Sequence, residues 1–209
     1  MARIQHPARA LRAPLVALAL TTLTTLTACS AGSPSAATAT TPAATATTGT
    51  AVPPPATAPT SPGDPTRVAI PSLGVDSSLL RLGLNADETV QVPPSEQGMT
   101  AGWYVNSAVP GERGASVVIG HNNTRYGKAV FHDLGKIKKG ADIAIRGADG
   151  KITHFTVTTT QTVSKKSFPT QQVYAPTPAP TLRLITCDGS IDAQGHPVDN
   201  LIVYATLTT

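Results

Sequence analysis

Cysteine is nearly missing from this chain: two residues in 209. Aromatics make up 4%. So few cysteines exclude a disulfide scaffold, and no Cys-x-x-Cys pair is present to suggest a zinc or redox motif. No glycine-rich phosphate loop and no internal repeat occur, so nothing points to nucleotide binding or a solenoid. Charge is also unevenly withheld. From Ala13 to Thr66 there is no Lys or Arg, and the only charged residue is Asp64. Basic clusters with interleaved aromatics are absent. Lys136-Ile137-Lys138-Lys139 reads as a solvated turn before Gly140. The formal charge of +4 comes largely from the first 28 residues, which hold Arg3, Arg9 and Arg12 and no acid. Beyond them, 13 basic side chains face 12 acidic ones. Nucleic-acid binding therefore has no electrostatic footprint.

What is present divides the chain in three. Residues 1–28 carry a basic start followed by a Thr-diluted apolar run, Pro14 to Ala28, as in an export signal. The run is shorter than the ~20 residues of a membrane span. Residues 29–66 are Ala-, Thr-, Pro- and Ser-rich. They lack the large apolar side chains needed to offset chain entropy, which predicts a disordered linker. Its length would give a reach of roughly 35 Å as a flexible coil and roughly 110 Å fully extended. From residue 67 to 209, about 140 residues remain, enough for one domain with a core.

That domain reads as all-β. Val68-Ala69-Ile70 is a short strand stopped by Pro71. Ser116 to Ile119 is a β-branched run leading into Gly120-His121. Asp142–Arg146 and Lys151–Thr159 flank Ala148-Asp149-Gly150, a hairpin signal. Leu182–Cys187 and Leu201–Thr206 are two further strands. Ala129 to Leu134 suggests one short helical turn. Many short strands with Gly and Pro punctuation predict a barrel or sandwich.

The two cysteines occupy different settings. Leu26-Thr27-Ala28-Cys29 resembles the lipobox of bacterial lipoproteins, which implies a lipidated Cys29 and attachment to the membrane through the N-terminus. The alternatives are an ordinary cleaved signal or an uncleaved signal anchor with an incidental Cys29. Cys187 is then an unpaired thiol at the end of a strand, which asks for a reason. Alternation puts Arg183, Ile185 and Cys187 on one face, with Leu182, Leu184 and Thr186 on the other. Arg183 lies two pleats away, roughly 13 Å along the strand between Cα atoms. Brought close, it would favour a thiolate or donate to an oxyanion. His121 ends another strand. If the two strand ends meet, it can exchange protons with a leaving group. His132, His154 and His196 share no ligand spacing and predict no metal site. Trp103 reads as a packing residue.

Gly120-His121, Leu184-Ile185-Thr186-Cys187 and the nearby arginine resemble the His–Cys–Arg set of sortases. A wider pattern resembles the class F sortases of actinobacteria. It includes Ile70-Pro71-Ser72-Leu73-Gly74-Val75-Asp76, Gly102-Trp103-Tyr104, Ala129-Val130-Phe131, Phe168-Pro169-Thr170 and Val173-Tyr174. The resemblance implies an eight-stranded β-barrel with short helical turns in its loops, on the outer face of the cell membrane. It implies a cysteine transpeptidase that needs no cofactor and no metal. Cys187 would attack the Thr–Gly bond of a Leu-Pro-x-Thr-Gly-type sorting signal. His121 would protonate the leaving amine, Arg183 would assist, and Thr186 would touch substrate. The thioester would pass to an amine, such as a peptidoglycan precursor, or to water. In many sortases the arginine lies on the strand after the cysteine. The equivalent place here is near Asn200, and residues 188–201 contain no Arg. Where relatives often carry an Asp after the histidine, this chain has Asn122-Asn123. A non-catalytic wall lipoprotein that binds sorting signals is the alternative, but it would not need the Cys–His–Arg set. The Ser/Thr-His-Gly-Cys stretch of L,D-transpeptidases is absent.

Overall fold

The computed structural model describes residue 61 and residues 63–208. The expected export signal, Cys29 and all but the last few residues of the expected linker lie outside them.

The described residues form ten strands. They are β1 (Pro65–Ile70), β2 (Val75–Leu82), β3 (Ala101–Tyr104), β4 (Gly114–Ile119), β5 (Asn123–Thr124), β6 (Gly127–Lys128), β7 (Asp142–Gly147), β8 (Ile152–Ser164), β9 (Pro180–Ile191) and β10 (Pro197–Leu207). Eight of them close into a barrel in the order β1-β2-β3-β4-β9-β10-β8-β7, and β5 and β6 make a separate hairpin. Closure leaves the barrel itself without an edge strand to template aggregation. Among the described residues the one α-helix, α1, is a single short piece at Thr170–Tyr174, and the other helical turns are 3-10.

Alternation explains which faces are buried. Leu182 and Leu184 of β9 join Leu201, Val203 and Ala205 of β10 in the barrel interior, with Val118, Phe131, Ile143 and Phe155. The expected turn at Ala129–Leu134 is present as hydrogen-bonded turns, with the His132 amide donating to the Ala129 carbonyl at 3.0 Å and the Leu134 amide to the Phe131 carbonyl at 3.1 Å. The 3-10 turn proper follows at Leu134–Lys136, and Phe131 is buried in the core. A fully buried side chain of this kind contributes about 1.5–3 kcal/mol. The opposite faces of β4, β9 and β10 are also apolar. Val117, Ile185, Ile202 and Tyr204 pack there beneath Val173, Phe168 and Tyr174. The wall is thus covered on its outside by the segment carrying α1, and the functional groups collect at the end of that covered face.

Two strands were not legible in advance. β2 carries Asp76-Ser77-Ser78 in its middle, and β3 is four residues long with a glycine. Their parallel pairing, Leu79 with Ala101 through Leu82 with Tyr104, is a long-range contact that supplies what local propensity lacks. Gly102 is required there: a Cβ would stand 2.5 Å from the Leu82 side chain. The expected Asp-Gly turn closes as predicted, with Gly150 at φ 82° and the Gly147 amide donating to the Lys151 carbonyl.

The fold also begins before residue 67. Asp64 is buried and forms an ion pair with Arg81, while its carboxylate accepts the Ser61 amide. The Arg81 guanidinium lies 5.6 Å from the Trp103 ring centre. The one charge in an otherwise neutral stretch therefore anchors the start of the barrel.

Candidate active site

Strand register builds the site. β4 and β9 run parallel, with Ile119 opposite Ile185. His121 and Cys187 each lie two residues further on. They are therefore level with each other, His121 just past the end of β4 and Cys187 within β9. β9 runs four residues further, to Ile191, and does not end at Cys187 as the sequence suggests. Neighbouring strands in a sheet are about 4.8 Å apart. β10 runs antiparallel on the other side of β9 and places Asn200 directly opposite Cys187. Reading across three adjacent strands gives His121, Cys187, Asn200. All three are half-buried and line one cleft of about 1030 Å3.

Each group is held by its surroundings. Phe131 and Val130 lie against the backbone beside the histidine, and a Cβ on Gly120 would sit 2.6 Å from the Phe131 ring. The Gly120 amide donates to the Ile185 carbonyl at 3.1 Å, tying the end of β4 to β9. The Phe131 amide donates to the His121 carbonyl at 2.9 Å. His121 Nε2 lies 2.6 Å from the Pro93 carbonyl oxygen. That oxygen can only accept, so Nε2 carries the proton, and Nδ1 is the nitrogen left to exchange one. A backbone carbonyl thus does the orienting that a carboxylate would do elsewhere. Asn122 Nδ2 donates to the Cys187 carbonyl at 3.0 Å, fastening the histidine loop to the cysteine strand. Cys187 is a free thiol.

The cleft walls are mostly apolar. Tyr104, Ile119, Phe168, Tyr174 and Ile185, which pack in one cluster, line it together with Leu84, Val90 and Val92. Tyr174 packs edge-on to Tyr104, with ring centres 5.9 Å apart. Burial raises the Tyr174 phenol above its ordinary pKa, so it stays neutral. Among the lining residues the only formal charges are Glu88 and Lys165. Glu88 adopts φ 65°, a left-handed conformation uncommon for a residue with a side chain.

The structure brings together two of the three residues expected to share the chemistry, His121 and Cys187. It does not bring Arg183 to the cleft. Arg183 shares the outer face of β9 with Cys187, as alternation predicts, but its guanidinium lies 4.7 Å from the Tyr204 ring centre. Its Nη1 donates to the Leu182 carbonyl at 3.1 Å, and Ile185 stands between it and the thiol. Burial lowers its pKa, with Tyr204 opposing the shift. Among the described residues it has no ion pair, and it stacks on the Tyr204 ring. Thr186 lines the cleft, and its buried hydroxyl has no partner among the described residues. Among the described residues there is also no cluster of three or more ligand-type side chains that could hold a metal.

Sequence reasoning missed the Pro93 carbonyl, because a backbone acceptor leaves no residue-type signal. It noted Asn200 only as a place without arginine.

The profile of the sortase domain matches residues 68–208. Among solved structures, the chain is similar to sortase A from Corynebacterium diphtheriae, at 21% identity and a TM-score of 0.54, covering 68% of this chain and 60% of that one. It thus spans less than two thirds of that protein. It is also similar to sortase C1 from Streptococcus agalactiae (17%, TM-score 0.55, covering 69% of this chain and 67% of that one). Sortase C-1 from Actinomyces oris gives 22% and a TM-score of 0.52, covering 68% and 72%. At these identities the likeness is one of fold. No protein of curated function matches the chain.

Proposed function

The chain belongs to the sortase family, and from that premise we propose that it is a cysteine transpeptidase of the class F type acting outside the cytoplasm on Leu-Pro-x-Thr-Gly-type sorting signals. The observation that supports this most is the register of β4 and β9. It sets a histidine and a free thiol level with each other on a peptide-sized, largely apolar cleft.

In this reading the Cys187 sulfur attacks the threonine carbonyl carbon of the sorting signal. The thiol proton passes to His121, and the carbonyl oxygen takes the electron pair. As the carbonyl re-forms, the carbon–nitrogen bond breaks, and His121 returns the proton to the departing glycine amine. The acyl group is left as a thioester on Cys187. An acceptor amine, such as that of a peptidoglycan precursor, or water then attacks the thioester and releases the thiol. Thr186 contributes to the substrate-facing wall. Neither a metal nor a cofactor enters any step.

Residues 1–28 are proposed as the export signal, Cys29 as the lipidated anchor and the following segment as a tether to the barrel. Among the described residues no helix is long and apolar enough to cross a membrane.

The test is cleavage of a Leu-Pro-x-Thr-Gly peptide by the purified chain. Cys187→Ala should abolish it, and His121→Ala should slow it by about 100- to 10,000-fold, both with an unchanged thermal midpoint. Cleavage by Cys187→Ala at the wild-type rate would remove the enzymatic reading. A few-fold effect of His121→Ala would mean that another group is the acid.

A further inference from the structure

Asn200 is the direct cross-strand partner of Cys187. Paired side chains on one sheet face have Cβ atoms about 5 Å apart, so its amide lies within one side-chain length of any atom bonded to the thiol sulfur. It lines the cleft, is half-buried and, among the described residues, has no side-chain hydrogen bond. Asn122, by contrast, is spent on the Cys187 carbonyl. Among the described residues no arginine lines the cleft, and Arg183 is turned onto Tyr204. The sulfur therefore has the histidine on one side and a free carboxamide on the other.

We propose that Asn200 is a catalytic residue that donates its amide N–H to the substrate carbonyl oxygen as Cys187 attacks, so that a neutral amide does the work of an oxyanion donor. The inference rests on the sortase reading of the site. When the carbonyl carbon bonds to sulfur, its oxygen becomes an anion. A donor preset beside it lowers the barrier to acylation without a cation to neutralise. The Asn200 amide itself adds no charge beside the unloaded thiol, and Lys165 is the one cation among the cleft's described lining residues.

Two reactions of Cys187 separate this role from structural support. Acylation by the peptide passes through an oxyanion. Alkylation by iodoacetamide does not: a sulfur–carbon bond forms, a carbon–iodine bond breaks and iodide leaves. The full chain is compared with Asn200→Ala, Asn200→Asp and Asn200→Arg, with thermal midpoints alongside. Asn200→Ala should lower kcat/KM for the peptide by about 100-fold, chiefly in kcat, while its alkylation rate stays within about threefold of wild type. Asn200→Asp keeps the shape but aims a carboxylate at the developing anion, so it should be at least as poor. It also carries the test if the alanine variant does not fold. Asn200→Arg restores a donor and should recover acylation to within about tenfold of wild type. Wild-type acylation by Asn200→Ala or Asn200→Asp would overturn the proposal. So would parallel losses of acylation and alkylation, which would make Asn200 a support for the thiol. A wild-type chain that alkylates but does not acylate would instead sink the sortase reading, and this inference with it.

Discussion

Arg183 and Cys187 show how a residue can be on the right face and still outside the site. Alternation places both on the outer face of β9, and the structure agrees. What alternation cannot tell is which way a long side chain runs along that face. Tyr204 lies opposite Arg183 on β10 and offers an aromatic surface, which a desolvated guanidinium favours over an apolar path past Ile185. Arg183 is therefore expected to brace the wall. Arg183→Ala should cost about 1–3 kcal/mol of stability, while the cleavage rate per folded molecule changes less than about fivefold. Arg183→Lys should lie between the two in stability. The thermal midpoint and the peptide cleavage rate, measured on both variants, check this. A rate fallen about 100-fold at an unchanged midpoint would return Arg183 to the chemistry. Cys187 stood out because a lone thiol has few other uses, although β9 continues four residues past it to Ile191. Asn200 was not, because an asparagine has many and only the β9–β10 register singles it out.

Among elements, the strands with β-branched runs and turn signals were readable: the cores of β1, β4, β7, β8, β9 and β10. β8 runs five residues beyond the expected Thr159, to Ser164, because its polar second half, rich in Thr, pairs with β10 and one face remains in solvent. α1 was missed because five residues are too few for a periodic pattern, and its stability comes from Val173 docking on the barrel wall. The start of β1 was placed three residues late, at Val68 instead of Pro65, since Pro65-Thr66 after a Pro-rich tract looks like linker. Its anchor is the Asp64–Arg81 pair. Removing one member of a buried pair leaves the other uncompensated, and here Arg81 Nε already lacks a partner. Arg81 keeps a side-chain exposure of 24%, which softens the loss. Asp64→Ala is expected to cost about 1–3 kcal/mol, a fall of roughly 3–10 °C in thermal midpoint for a domain of this size. Asp64→Ala combined with Arg81→Met should recover much of it, because no charge is then left buried. A single Asp64→Ala variant with an unchanged midpoint would show that the pair is not what holds β1 in place.

At the scale of the whole molecule, the barrel's function is to make three distant pieces of chain adjacent. β4, β9 and β10 bring His121, Cys187 and Asn200 side by side across 79 positions of sequence, from 121 to 200. The fold class and two of these residues could be read from the chain, but the order of strands in the closed sheet could not. It depends on two parallel pairings that no local signal encodes. The central claim is that this adjacency makes Cys187 an acyl carrier. Intact-mass spectrometry of the purified chain, quenched in acid after mixing with a Leu-Pro-x-Thr-Gly peptide, tests it most directly. The account predicts an adduct of the peptide's acyl portion, mapped to Cys187, cleaved by hydroxylamine and absent from Cys187→Ala. Peptide turnover without any adduct on Cys187, or an adduct that persists in Cys187→Ala, would contradict it.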